Sequence, residues 1–101
     1  MSVTLIRGQV RPDQAADVEA AAQKMFAAIK AARPGGVRYA STKLADDGAT
    51  FVVLLELDGP ANPLTAVPEF VEFQNELKNR LAGPPTAEQL EVVGTYRLFT
   101  D

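Results

Sequence analysis

Apolar residues dominate from Val3 to Val10, interrupted at alternate positions by Arg7 and Gln9. A period of two sends side chains to opposite sides of an extended chain, so this stretch predicts a first strand with two distinct faces. Pro12 and Asp13 stop it, with Asp13 placed to cap a helix. The period then changes: Val18, Ala22, Met25, Ile29 and Ala32 recur every three or four residues through the alanine-rich stretch from Gln14 to Arg33. That is the apolar stripe of an amphipathic helix. Lys30 and Arg33 suit the negative end of its dipole, and Pro34-Gly35-Gly36 terminates it.

Alternation returns from Val37 to Leu44, Asp46-Asp47-Gly48 supplies turn residues, and Thr50 to Leu57 is a β-branched and aromatic run. These segments predict a hairpin. Asn62-Pro63 opens a second helical segment reaching Ala82, with Gly83-Pro84-Pro85 as its stop. Pro68 lies inside it and cannot donate a backbone hydrogen bond, so a first turn over Leu64 to Val67 and a main helix from Pro68 are expected. Leu90 to Phe99 reads as the last strand, carrying Val92, Val93, Tyr96, Leu98 and Phe99.

The order β-α-β-β-α-β predicts an α+β fold of the ferredoxin-like class, four antiparallel strands with two helices on one face, as one domain over residues 1–101. The helix-facing set is then Ile6, Gly8, Val10, Val37, Tyr39, Phe51, Val53, Leu55, Leu57, Val92, Tyr96 and Leu98. The opposite face still holds Leu5, Ala40, Leu44, Val52, Leu54, Val93 and Phe99 among Arg7, Gln9, Arg38, Thr42, Glu56, Thr95 and Arg97. A monomer rarely exposes an apolar patch beyond roughly 300–600 Å². The expected cover is a second identical sheet, giving a two-fold homodimer.

The chain has 13 acidic and 10 basic residues, a net charge of −3, which argues against nucleic acid or an anionic membrane as partner. Without cysteine or histidine there is no disulfide, no thiolate nucleophile and no imidazole to hold a metal or haem. No cofactor and no metal site are expected. No secretory pattern or membrane span is read from the sequence, so a cytoplasmic location is the expectation.

With the strand order on the page, the stretch NPLTAVPEFVEFQNELKNRLAGPP and the closing VVGTYRLF give the chain a resemblance to the dimeric α+β barrel superfamily. Within it, the chain is similar to small proteins of the antibiotic-biosynthesis monooxygenase type. The resemblance covers nearly the whole chain and implies a dimeric barrel. Its members include cofactor-free oxygenases of polycyclic phenols or quinols, haem-degrading enzymes and muconolactone-isomerase-like enzymes. Haem-degrading relatives use histidine and tryptophan, which this chain lacks. The oxygenases place asparagine, tryptophan, tyrosine and arginine around an aromatic substrate, and here Tyr39, Tyr96, Arg38 and Arg97 are the available matches.

Arg7, Arg38 and Arg97 with Glu56 fall on different predicted strands and on the side away from the helices. Excess guanidinium charge in a partly dry cavity would hold a carboxylate, phenolate or enolate. The same residues would equally serve as intersubunit ion pairs. Tyr39, Arg38 and Arg97 are the candidate catalytic groups; Arg7, Gln9, Thr42, Glu56 and Tyr96 are the candidate substrate contacts. Both tyrosines also fit a purely structural place in the core, and Gly8 and Gly94 would each leave room beside a strand. Two functions follow: a cofactor-independent monooxygenase or isomerase acting on an aromatic or enolisable molecule, and a non-catalytic homodimeric module that binds a small aromatic or anionic ligand or a partner.

Overall fold

The computed structural model describes residues 1–98. Strand β1 (Ser2–Gln9) leads through a 3-10 turn at Pro12–Gln14 into helix α1 (Ala15–Ala32). Strands β2 (Val37–Lys43) and β3 (Thr50–Leu57) form the hairpin; a 3-10 turn at Pro63–Ala66, helix α2 (Pro68–Leu77) and strand β4 (Thr86–Leu90) complete the order. The strands lie in one antiparallel sheet, β2-β3-β1-β4, the ferredoxin-like arrangement.

Register decides the faces. Ile6 lies opposite Val53 and Tyr39 opposite Leu55, so these side chains share a face. A slip of one residue would turn every one of them outward. Two buried clusters occupy the helix side: Met25, Leu64, Val67 and Phe70, and Val10, Val18 and Ala49. Phe73 of α2 packs against both and joins them. The helix-facing residues read from β1, β2 and β3 are therefore correct.

Local chemistry sets the turns. Asp47 Oδ1 accepts from the backbone N–H groups of Ala49 and Thr50 at 2.8 and 2.9 Å, and Oδ2 accepts from the Thr50 hydroxyl at 2.7 Å. Gly48 takes the left-handed φ of +63° that closes this turn. Asn62 Oδ1 accepts from the Leu64 N–H at 3.0 Å at the entry to the second helical segment, and the main helix starts at Pro68 as expected.

Three boundaries differ from expectation. Asp13 does not cap α1: the 3-10 turn, closed by Gln14 N–H donating to Arg11 C=O at 2.8 Å, winds directly into the helix. Helix α2 ends at Leu77 rather than Ala82, because the following residues are drawn into pairing with the end of β1. Arg11 N–H donates to Arg80 C=O at 3.0 Å and Ala82 N–H to Gln9 C=O at 2.7 Å, around a bridge between Val10 and Leu81.

The third correction concerns the last strand, which is Thr86–Leu90 and not Leu90–Phe99. It pairs with β1 from Thr86 opposite Arg7 to Leu90 opposite Val3. Since β1 begins at Ser2, the chain then runs off the end of its partner. Val92, Tyr96 and Leu98 consequently do not face the helices, Tyr96 being 82% exposed, and Val93, expected on the opposite face, is fully exposed. Phe99 lies outside the described residues.

Candidate functional site

An open cavity of about 580 Å³ lies between the C-terminal half of α1 and β2. The period-3.6 stripe of α1 brings Phe26, Ile29, Lys30 and Arg33 to one wall; Val37, Tyr39 and Ser41 form the other, with Leu64 beneath. Tyr39 stacks on Phe26 at 5.1 Å between ring centroids and meets Phe70 edge-on at 5.8 Å. The aromatic and aliphatic walls suit an apolar body, while both charged residues in the lining, Lys30 and Arg33, are cationic.

The strand adds polar groups. Leu44 N–H donates to Thr50 C=O at 2.9 Å, which fixes the phase of the antiparallel ladder. Thr42, Ala40 and Arg38 therefore turn their backbone groups toward β3. Tyr39 and Ser41 turn theirs to the free edge of the sheet, beside the cavity. Burial pushes the Tyr39 phenol up to about 12, with a hydrogen bond to Gln74 opposing it. At neutral pH Tyr39 is thus a hydrogen-bond donor and not a base.

The arginine group expected on the other face does not converge. Arg38 and Glu56 are directly opposed on β2 and β3 and form an ion pair at 3.0 Å. This pairing raises the Arg38 pKa, first through the hydrogen bond and then through the charge of Glu56. Arg7 is in the row of Val52 and Thr42, separated from that pair by the row Ala40, Leu54 and Leu5. Arg97 is not on a strand at all: it lies over the Tyr96 ring at 5.3 Å in the exposed segment after β4. Gln9 is exposed on β1, and the Thr42 hydroxyl donates to the Val52 carbonyl at 2.6 Å. Of the named candidates, only Tyr39 and Thr42 line the cavity.

Phe26, Ile29, Lys30, Arg33 and Ser41 were not among the candidates. In the sequence Lys30 and Arg33 read as dipole partners of α1 and Ile29 as part of its apolar stripe, and neither signal marks a cavity wall. The space anticipated beside Gly8 is taken by its own chain: a Cβ there would lie 3.4 Å from Leu81 and 3.6 Å from Pro85.

No family model matches the sequence. No curated protein matches it. Solved structures do. An antibiotic-biosynthesis-monooxygenase-like protein from Nitrosomonas europaea superposes with a TM-score of 0.77 at 18% identity, over 93% of this chain and 100% of the other. Rv0793 from Mycobacterium tuberculosis gives 0.73 at 18% identity, over 93% and 96%. A further monooxygenase-like protein, from Caulobacter crescentus, gives 0.68 at 22% identity, over 92% and 90%. The chain has the fold of the antibiotic-biosynthesis-monooxygenase-like structures.

Proposed function

We propose that this chain acts as a homodimer that binds a small aromatic or enolisable molecule in the cavity between α1 and β2. The observation that carries the reading is the lining itself: a stacked Phe26–Tyr39 floor with a phenolic donor, and Lys30 and Arg33 as its charged residues. Such a site holds an apolar ring and favours negative charge at one end.

The reaction class that suits this geometry is cofactor-independent oxygenation or isomerisation of a phenol or enol, in which the cationic rim and Tyr39 stabilise a developing oxyanion. The names of the structural neighbours support the oxygenase form. The second reading, a binding module without catalysis, is favoured by one specific fact: the chain has no histidine or cysteine, and Tyr39 is held protonated.

The dimer reading rests on the sheet face away from the helices. Its middle row is Ala40, Leu54 and Leu5, bordered by Val52 and Val3, all half-buried with no covering element among the described residues. The segment after β4 also leaves Val92, Val93 and Leu98 exposed. A second copy packed on the sheet face would cover it, and stable interfaces of this kind bury on the order of 2,000 Å².

Native mass spectrometry and calorimetry test both parts. The expected species is a dimer of twice the 10.8 kDa chain mass. It should bind 2-naphthoate, and Ser41→Phe, which places a ring against the aromatic wall of the cavity, should weaken binding while leaving the dimer intact. A monodisperse monomer at low micromolar concentration would refute the dimer; naphthoate binding unaffected by Ser41→Phe would refute the site.

A further inference from the structure

Arg33 closes α1 in the left-handed region, at φ 52° and ψ 53°, with its N–H donating to the Ile29 carbonyl at 2.8 Å. A left-handed residue at a helix end is usually glycine, because a Cβ is crowded there. Two glycines stand close by in the sequence at Gly35 and Gly36, yet the chain places an arginine at the strained position. Its side chain contributes nothing visible to the fold: no hydrogen bond or ion pair joins it to another described residue, and it is exposed. It does line the cavity, which no carboxylate lines among the described residues. Backbone strain retained at a cavity mouth is characteristic of functional positions.

We infer that Arg33 is the specificity-determining residue of this cavity, kept in a strained backbone conformation so that its guanidinium meets the carboxylate of an amphipathic organic acid. The inference rests on the proposed binding site and narrows its ligand. The left-handed turn directs the chain out of α1 and back toward β2, which leaves the Arg33 side chain at the mouth while Phe26, Ile29 and Tyr39 take the apolar body. A guanidinium fork suits a carboxylate better than a single phenolic oxygen, since it offers paired donors.

The test compares 2-naphthoate with the neutral 2-naphthylmethanol by calorimetry, on the parent protein, Arg33→Gly and Arg33→Lys. Arg33→Gly should raise the melting temperature by about 3 °C through relief of strain. It should also weaken naphthoate binding about fivefold, the loss expected for one exposed charge contact, and change naphthylmethanol binding less than twofold. Arg33→Lys, which keeps the charge but loses the paired donors, should bind naphthoate with an affinity between those of the parent protein and Arg33→Gly, at an unchanged melting temperature. A fall in melting temperature for Arg33→Gly, equal weakening of both probes, or unchanged naphthoate binding overturns the role of Arg33 and leaves the cavity standing. Failure of both probes to bind the parent protein overturns the site and this inference together.

Discussion

Tyr39 stacks on Phe26 with their rings 27° from parallel, so residues of two consecutive elements, α1 and β2, form one aromatic floor. That contact ties the β2 edge to α1 beside the cavity. It also buries the Tyr39 phenol, which makes its titration a probe of the site.

Tyr39 is raised to about 12 from 10.0 in the unfolded chain. Below about pH 10 the phenol is protonated in both states and its contribution is fully present. Between about 10 and 12 the unfolded state loses the proton first, so stability falls by up to about 2–3 kcal/mol as pH rises through this window. In a Tyr96→Phe background, the remaining tyrosinate absorbance should appear near pH 12. Tyr39→Phe should flatten the alkaline loss measured by urea denaturation.

Asp47 is held below the usual carboxylate range, chiefly by the Thr50 and Ala49 backbone N–H groups. A depressed folded value contributes stability above the unfolded pKa of about 3.9 that disappears as pH falls through the folded one. Asp47→Ala should therefore lower the urea midpoint at pH 7, and the gap from the parent protein should narrow below pH 4. An equal gap at pH 7 and pH 2.5 would exclude this account.

Leu64 is completely buried between α1 and the sheet and also underlies the cavity. Leu64→Ala should cost about 3 kcal/mol, from lost transfer energy and the space left behind. Urea denaturation measures it, and a loss below about 1 kcal/mol would mean that the cluster collapses around the gap.

Leu54 lies at the centre of the uncovered sheet face, between Ala40 and Leu5. In a homodimer built on that face, Leu54→Lys places a charge in the interface and should yield monomers in sedimentation velocity. The Arg38–Glu56 pair offers a second readout: with Arg38 78% exposed in the isolated chain, the pair contributes little to folding. Arg38→Ala should nevertheless weaken the dimer at least tenfold if a second sheet buries it, because Glu56 is left unpaired. Unchanged association in both variants would place the interface elsewhere.

The alternation of Val3–Val10 and Val37–Leu57 and the stripe of α1 determined by themselves the element order, the helix-facing side of three strands and the ferredoxin-like class. Those properties are local: side-chain period follows from backbone geometry, and burial of one apolar face rules out any slip by a single residue. The last strand differs from expectation because TAEQL is polar, whereas VVGTYRLF has the stronger strand composition. Pairing went to the residues that reached the free edge of β1 first, and β1 was used up at Leu90 opposite Val3. Tertiary structure alone also decided the site. The expected arginines were spread over separate rows of the sheet, while Arg33 was carried to the cavity mouth by a backbone conformation that nothing in its side chain announces. Convergence of this kind depends on strand order and on how a helix ends against its sheet, quantities that periodicity does not encode.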